Sequence, residues 1–254
     1  MLGGSHGRVV ELAGEKEIDR LNRQSKLLVA EELAFLRGIG ITAGMRLMDL
    51  GCGTGAMSGL MADELGVDVL GIDANTALLP NATLHQRTAF AVGNAYDLTQ
   101  YQGQFDAVVI RFMLQHIRNP DQVVAQSFQA LRPGGIAVLI DSDDGYTIVS
   151  PPDREFSGLL AETQRRQAEH GGDRMIGRRL ARLLADAGYV AKAEWVRVVT
   201  ASEVGFDRLF ALATGCKAAI LGGSMAFASV GRRLSTGSGF FSVGVVAAAA
   251  RRPE

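Results

Sequence analysis

The chain reads Asp-Leu-Gly-Cys-Gly-Thr-Gly at residues 49–55, directly after a short apolar run that begins near Arg46. An apolar run that stops abruptly at glycines is typical of a buried β-strand that ends in a tight turn. Because glycine has no Cβ, glycines at alternate positions let the backbone turn sharply and come close to a ligand. Residues 56–65 read as a helix, whose first N–H groups would favour a carboxylate or a phosphate at the same place. The segment predicts a strand, a ligand-binding turn and a helix in succession.

Strands and helices continue to alternate after this turn. Apolar runs predict further strands at residues 67–72, 105–110 and 136–140. Residues 76–80 and 85–90 are ambiguous and are interpreted as a helix and a short third strand that ends near Val92. A helix is predicted at about residues 120–131, with a turn at residues 132–135. This alternation predicts an α/β fold with a Rossmann-like, doubly wound and mostly parallel sheet, in which ligands bind at the carboxyl ends of the strands. Runs at residues 189–200 and 240–250 predict a terminal antiparallel hairpin.

Helical segments flank and interrupt the predicted sheet. Apolar residues recur at helical spacing between Glu17 and Arg37, which predicts one or two amphipathic helices. We therefore expect an N-terminal helical lid over residues 1–45 and a core over residues 46–254. Two helical insertions, near residues 142–175 and 203–238, are expected to cover the ligand side of the core.

The composition excludes several classes of protein. The net charge is −1 and no long Lys/Arg run occurs, so the electropositive surface of a nucleic-acid-binding protein is missing. Cys52 and Cys216 are too few for a disulfide framework or a paired-cysteine zinc site. No apolar run reaches the ~18 residues of a membrane span, and Met1 to Arg8 lack the apolar core of a signal sequence. We expect a cytoplasmic monomer or homodimer that acts on a small molecule, without a nucleic acid, membrane or metal partner.

Two further positions favour a nucleoside-containing ligand. Asp73 ends the second predicted strand, at about the spacing from the glycine turn that is typical of a carboxylate binding ribose hydroxyls. An aspartate that merely opens a turn at a strand end is the alternative. Residues 93–95, Gly-Asn-Ala, follow the third apolar segment, where a polar side chain would meet the edge of an adenine.

The order of these pieces resembles the class I S-adenosylmethionine-dependent methyltransferases, in particular the small-molecule group that includes the ubiquinone and menaquinone biosynthesis methylases. The resemblance covers roughly residues 17–141, with a weaker likeness over residues 177–200. It is carried by residues 48–55, 71–73, 93–95, 105–109 and 131–135. It implies S-adenosylmethionine as cofactor and methyl transfer to an oxygen, nitrogen or carbon atom of a small molecule.

The resemblance also implies cofactor-binding residues. Asp49 and the turn at Gly51, Cys52, Gly53 and Gly55 would hold the methionine part. The ribose would lie on Asp73, the adenine beside Ala74, Asn94 and Ala95, and the sulfonium against the backbone of Arg111 and Phe112. Relatives commonly carry Asp where this chain has Asn94, although an amide oxygen also accepts from the adenine amino group. Gln24 would be a lid contact, with a solvated helix face as the alternative.

Two other functions remain open at this point. Gly51, Gly53 and Ala56 also satisfy the glycine pattern of a nicotinamide dehydrogenase. Asp49 disfavours that interpretation, because a carboxylate before the turn suits a ligand ammonium group and would repel a pyrophosphate. The other alternative is a protein that binds S-adenosylmethionine without methylating.

Candidates for catalysis and substrate binding lie after the fourth and fifth strands. His116 is the candidate general base, since the histidine pKa ordinarily lies near neutrality; a structural cap is the alternative. Asp141, with Asp143 and Asp144, would bind a cationic substrate or take a proton, although a solvated turn is favoured for this cluster. Tyr146 is a candidate substrate contact on the same loop.

The second insertion predicts an apolar pocket for a hydrophobic or aromatic acceptor, with an ordinary core or a dimer interface as the alternatives. Its members are Phe206, Leu209, Phe210, Leu212, Met225 and Phe227. Arginines in the two helical regions are interpreted as surface charges, namely Arg165, Arg166, Arg178, Arg179 and Arg182. Nothing in the sequence singles out Cys216 or Lys217.

Overall fold

A computed structural model of the chain describes residues 15–79, 86–223, 225–236 and 239–254. Its strands are β1 (Arg46–Leu50), β2 (Asp68–Asp73), β3 (Thr88–Val92), β4 (Phe105–Arg111), β5 (Leu131–Ser142), β6 (Ile148–Ser150), β7 (Val190–Thr200) and β8 (Phe240–Arg251). Its helices are α1 (Glu15–Ser25), α2 (Val29–Gly38), α3 (Ala56–Leu65), α4 (Pro120–Ala130), α5 (Arg154–Glu169), α6 (Leu180–Asp186), α7 (Ala201–Val204), α8 (Phe206–Ile220) and α9 (Met225–Ser235). Residues 1–14 of the predicted lid lie outside the described residues. Residues 80–85, which belong to the ambiguous region around residues 76–90, also lie outside them.

The strands form one mixed sheet in the order β3-β2-β1-β4-β5-β8-β6, with β7 also paired to β8. The first five are parallel, whereas β8 runs antiparallel to β5, β6 and β7. The prediction of a mostly parallel, Rossmann-like sheet with a terminal antiparallel pair is therefore confirmed. The chain winds outward from β1 in one direction through β2 and β3, and then in the other through β4 and β5. The switch point between β1 and β4 is where such folds bind ligands.

The parallel strands are apolar on both sides because helices cover both faces of the sheet. Successive side chains point to opposite faces, so Leu47 and Val109 join one buried cluster while Met48 and Val108 join the other. All four are at most 1% exposed. The continuous apolar runs that predicted these strands follow directly from this double burial.

The turn predicted at residues 132–135 is instead the irregular beginning of β5. Leu131 pairs with Phe105, and the register then shifts before Ile136 pairs with Ala107. Gly134, at a φ of 73°, donates its N–H to the carbonyl of Arg252, which ties this segment to the residues that follow β8. A tertiary contact of this kind leaves no mark in the local sequence.

The helices of the two predicted insertions pack through aromatic rings rather than forming an aromatic pocket. Phe156 of α5 lies 5.9 Å from Phe210, 6.3 Å from Phe227 and 6.0 Å from Phe241, measured between ring centroids. Phe206 completes the cluster at 5.3 Å from Phe210. These phenylalanines therefore form an ordinary hydrophobic core, which was one alternative to the predicted acceptor pocket. Met225 is 80% exposed, so it does not join them.

Among the described helices, none has both the length and the hydropathy needed to cross a membrane.

Candidate functional site

A cleft of about 540 Å³ opens at the carboxyl ends of β1, β2 and β4. This volume lies within the range of small-molecule sites, about 300–1,000 Å³. Most of the residues predicted from the sequence line it: Gln24, Asp49, Gly51, Cys52, Gly53, Asp73, Ala74, Asn94, Ala95, Arg111, Phe112 and His116. Gly55, Asp141 and Tyr146 do not.

The glycine turn bends the backbone in a way that side chains disfavour. Gly51, Gly53 and Gly55 have φ angles of 81°, 56° and 72°. Gly51 and Cys52 donate their N–H groups to the carbonyl of Ile72, while Gly53 donates to Asp73 and Gly55 to Cys52. These four N–H groups are thus used inside the protein. The turn offers a ligand close approach to the main chain, and Gly55 serves to begin α3.

Replacing Gly51 by alanine is expected to lower the free energy of unfolding by about 1–2 kcal/mol from backbone conformation alone. A Cβ at this position would also lie 2.4 Å from Sδ of Met113, which lines the cleft. Gly44 is a matched control because its φ is 84° and an added Cβ would meet nothing within 4 Å. Chemical denaturation should show a larger loss of unfolding free energy for Gly51→Ala than for Gly44→Ala. Equal losses would contradict the predicted contact with Met113.

Asp73 holds the turn from its position at the end of β2. Its Oδ2 accepts from the N–H of Gly53 at 2.8 Å, and its Oδ1 accepts from the N–H of Asn75 at 2.8 Å. A carboxylate has about four acceptor positions, so two remain for hydroxyl groups of a ligand. The strand end, the turn and this cleft-lining carboxylate are therefore one connected unit.

Asp49 is a buried carboxyl at the base of the cleft, with 3% of its surface exposed. Ser58 of α3 donates its hydroxyl to Oδ2 of Asp49 at 2.5 Å. Burial raises the pKa of Asp49 to about 6, against the opposing effects of Ser58 and Arg111. A cationic group in the cleft would stabilise the ionised carboxylate. Burial likewise raises the pKa of the Cys52 thiol, which disfavours the nucleophilic thiolate form.

A salt bridge that the sequence analysis did not identify closes one wall of the cleft. Glu32 of α2 accepts from Nε of Arg111 at 2.7 Å and from Nη2 at 3.0 Å. The Glu32 side chain is completely buried and that of Arg111 is 10% exposed. The Arg111 guanidinium also lies 4.4 Å from the ring centroid of Phe112, whose own φ is 51°. Helix α2 and the end of β4 are thereby joined.

Helix α1 covers the glycine turn directly. Thr54 donates its hydroxyl to Oδ1 of Asn22 at 2.7 Å. Gln24 lines the cleft, and its Oε1 accepts from Arg20 at 2.7 Å. Across the cleft, Oδ1 of Asn94 accepts from the N–H of Tyr96 at 3.0 Å, so the amide is oriented by its own loop.

The aspartate cluster at the end of β5 is buried, so the expectation of a solvated turn is wrong. Asp141 and Asp143 are fully buried and Asp144 is 7% exposed. The antiparallel strand β8 pairs beside this segment and removes it from water, and neighbouring loops supply its hydrogen bonds. Arg178 donates to Asp143 at 2.6 Å, so this arginine is an ion-pair partner of a buried carboxylate rather than a simple surface charge.

Each member of this cluster has a different environment. Asp141 accepts from the N–H groups of Gln115 and Ser142 at 3.1 and 2.8 Å, and burial raises its pKa to about 7. It therefore supports the loop from behind the cleft. Tyr146 packs against Gly244, and a Cβ added at Gly244 would lie 2.3 Å from the Cβ of Tyr146. Of the candidates in this loop, Asp144 lines the cleft.

Two buried cations accompany Asp144, and the sequence analysis assigned no function to either. Arg174 donates to both carboxylate oxygens of Asp144 at 3.1 Å, and Lys217 lies 3.1 Å from Oδ1. Both cations line the cleft. An arginine in a loop and a lysine in a helix have no local pattern that distinguishes them from surface residues, so only the tertiary structure identifies them.

The comparisons with known proteins identify the family of this chain. The family model "Methyltransferase domain" matches residues 21–194, which is more than half of the chain. An uncharacterized 37.1 kDa protein in transposon Tn4556 of Streptomyces fradiae is 30% identical over 191 residues, covering 72% of this chain and 55% of that protein. The ubiquinone biosynthesis O-methyltransferase of Psychrobacter arcticus is 38% identical over 109 residues, covering 38% of this chain and 40% of that protein. The chain thus spans about half, or less, of the length of these relatives.

A solved structure supports the fold independently. Phosphoethanolamine N-methyltransferase 2 of Haemonchus contortus, in complex with S-adenosyl-L-methionine, superposes with a TM-score of 0.58 at 18% identity, covering 89% of this chain and 53% of that chain. The resemblance to class I S-adenosylmethionine-dependent methyltransferases is confirmed, and the chain belongs to the methyltransferase domain family.

Proposed function

We propose that this protein transfers the methyl group of S-adenosylmethionine to an oxygen, nitrogen or carbon atom of a small molecule. The observation that carries the proposal is one cleft bounded by Asp49, the turn at residues 51–54 and Asp73. These groups suit an amino acid joined to a nucleoside. A buried carboxylate faces its ammonium group, a turn without side chains allows close approach, and a strand-end carboxylate accepts from its ribose hydroxyls.

The remaining cofactor contacts follow from the same placement. Ala74, Asn94 and Ala95 would border the adenine, and the backbone at Arg111 and Phe112 would face the sulfonium. Gln24 would contact the cofactor from α1. When bound, S-adenosylmethionine supplies a methyl group that is transferred by in-line displacement. The chain itself positions the reactants and excludes water, and positioning of this kind is worth about 7–11 kcal/mol of barrier.

His116 is the proposed general base for a hydroxyl or amine acceptor. It lies at the cleft, 6% exposed, in the single turn that follows β4. Asp144 is a poor competitor for this role. Burial would raise its pKa, but Arg174 and Lys217 outweigh burial and hold that pKa well below the usual range. Asp141 lies off the cleft and Tyr146 packs away from it, so neither is retained here as a direct acceptor contact.

The first experiment separates this proposal from its alternatives. A hundredfold excess of a ligand over its dissociation constant stabilises a protein by about 2.7 kcal/mol, which raises the melting temperature of a chain of this size by roughly 5–11 °C. We expect this shift with S-adenosylmethionine or S-adenosylhomocysteine and not with NAD(P). The purified protein should then form S-adenosylhomocysteine with members of a panel of phenols, amines and carbon acids. Stabilisation by NAD(P) alone would contradict the proposal, and binding without turnover across the panel would support a non-methylating protein.

Affinity for S-adenosylhomocysteine is expected to fall in acid. Asp49, with a pKa of about 6 in the free protein, must be ionised to bind the ligand ammonium group. Below pH 6, each further fall of one pH unit should therefore weaken binding by up to about tenfold, until the pH reaches the lower pKa that Asp49 has in the complex. Calorimetric titrations at pH 5, 6 and 7.5 measure this. Asp49→Asn should bind weakly with a flat profile, while Asp141→Asn should keep the slope although burial raises the pKa of Asp141 to about 7.

We further propose that the acceptor is not a nucleic acid and that the protein is a monomer or homodimer. The net charge of −1 supports the first statement, since a nucleic-acid-binding surface needs an excess of basic residues. Light scattering of the purified chain tests the second.

A further inference from the structure

The cleft has a second charged region, away from the glycine turn. Asp144, Arg174 and Lys217 line it and are 7%, 7% and 3% exposed. They reach the cleft from the side of β5, β8 and α8, whereas the turn belongs to β1. Charged side chains are seldom buried so deeply without a structural or functional reason.

The charges in this region do not balance. Two cations share the single carboxylate of Asp144, which leaves an excess of one positive charge. Asp141 interacts electrostatically with Arg174, but burial raises the pKa of Asp141 to about 7, so it offsets the excess only in its ionised form. Asp143 is paired with Arg178, and the carboxyl of Asp141 is directed to the N–H groups of Gln115 and Ser142.

The two cations also retain donors. A guanidinium has five N–H groups and an ammonium three. Within the described part of the chain, Arg174 makes three hydrogen bonds, two to Asp144 and one to Oε1 of Gln115 at 2.5 Å. Lys217 reaches Asp144 and donates to the carbonyl of Ala213 at 2.8 Å. Two donors on Arg174 and one on Lys217 remain for a ligand.

Apolar side chains adjoin these cations in the lining of the cleft. They are Leu209, Leu212, Ala213, Val243 and Val245. A ligand in this half of the cleft would meet hydrocarbon along its body and a positive charge at one end. Leu209 and Leu212 are the members of the predicted acceptor pocket that the structure places on the cleft.

We propose that Arg174 and Lys217 bind a carboxylate group of the methyl acceptor, whose apolar body lies against the side chains of α8 and β8. This inference rests on the proposed function, because it names the acceptor class of the same cleft. Asp144 has the positioning role: it holds both cations and leaves one net positive charge. A single positive charge matches a carboxylate better than a phosphate monoester, which carries about −1.5 to −2 at neutral pH.

Burial and the neighbouring Arg174 lower the pKa of Lys217 to about 8, against the opposing effect of Asp144. The ammonium form therefore predominates at pH 7, and a bound carboxylate would favour it further.

The test compares benzoate, benzamide and phenyl phosphate as probes of the protein saturated with S-adenosylhomocysteine. Calorimetry should show benzoate binding at least tenfold more tightly than benzamide, as expected for losing one charge-assisted contact. Equal affinities, failure of benzoate to bind, or a preference for phenyl phosphate would each overturn the carboxylate assignment. The affinity for S-adenosylhomocysteine is measured first. A protein that does not bind S-adenosylhomocysteine would contradict the proposed function, whereas a protein that binds it but not benzoate would contradict only the acceptor site.

Two substitutions should weaken benzoate binding. Lys217→Met removes the excess charge and should weaken benzoate binding at least tenfold, with benzamide unaffected. Asp144→Asn removes the carboxylate that holds both cations and whose charge raises the pKa of Lys217, so it should also weaken benzoate binding and lower the melting temperature of the free protein. A merely structural role predicts that each variant weakens benzoate and benzamide binding by the same factor, and that result would overturn the proposal. Arg182→Gln, at an 80% exposed side chain paired with Asp186, is the control that should change nothing.

Discussion

Glu32→Ala is expected to lower the free energy of unfolding by about 3–5 kcal/mol, because it leaves Arg111 as an uncompensated charge in a buried wall. The two side chains are joined by hydrogen bonds of 2.7 and 3.0 Å, and Glu32 has no exposed surface. For a chain of this size the loss corresponds to a fall in melting temperature of roughly 6–20 °C. Thermal unfolding followed by circular dichroism measures it directly.

The same region of the molecule offers a matched control. Glu64 forms an ion pair with Arg37 of α2 at 3.4 Å, but both side chains are about half exposed. Glu64→Ala should cost about 0–1 kcal/mol. The double variant Glu32→Met, Arg111→Met should recover part of the lost unfolding free energy, because it removes the unpaired charge of Arg111 together with Glu32. Similar losses for Glu32→Ala and Glu64→Ala would show that burial of the first pair has no energetic consequence.

Asp73→Ala is expected to weaken S-adenosylhomocysteine binding by about 1.5–3 kcal/mol, or roughly 10–150-fold in dissociation constant. The carboxylate is predicted to accept from the ribose hydroxyls, and it also fixes the N–H of Gly53 at 2.8 Å. Its loss therefore removes a ligand contact and loosens the turn. Calorimetric titration of the purified variant gives the dissociation constant.

Asp68 supplies the comparison for this variant. It lies at the opposite end of β2, where it pairs with Arg87 at 3.2 Å in an exposed ion pair. Asp68→Ala should bind S-adenosylhomocysteine like the unaltered protein. An unchanged dissociation constant for Asp73→Ala, with the protein folded, would refute the assignment of the ribose to this carboxylate.

The sheet and the half of the cleft proposed for the cofactor were predictable from the sequence because their signals are local. An apolar run, a glycine turn and a helix occupy consecutive residues, and the structure places β1 and α3 at the predicted bounds. Asp73 and Asn94 follow strands whose ends must meet at one edge of a parallel sheet. Positions of this kind depend on the order of elements rather than on their packing.

The remainder of the site was not predictable because its contacts join distant parts of the chain. Glu32 and Arg111 are 79 positions apart, and Asp144 and Arg174 are 30 apart. Nothing near any of these residues distinguishes a buried ion pair from a solvated charge. The aspartates after β5 appeared to form an exposed turn because the burial comes from β8, a strand about a hundred residues later.

The cleft is built from two separate stretches of the chain. The wall proposed for the cofactor comes from elements up to β4, and the wall proposed for the acceptor comes from elements after it, chiefly the end of β5, helix α8 and strand β8. Substitutions that change the proposed acceptor can therefore accumulate in the later stretch while the site proposed for the methyl donor is left intact. Under this proposal, a protein divided in this way can acquire new acceptors without rebuilding the site for its source of methyl groups.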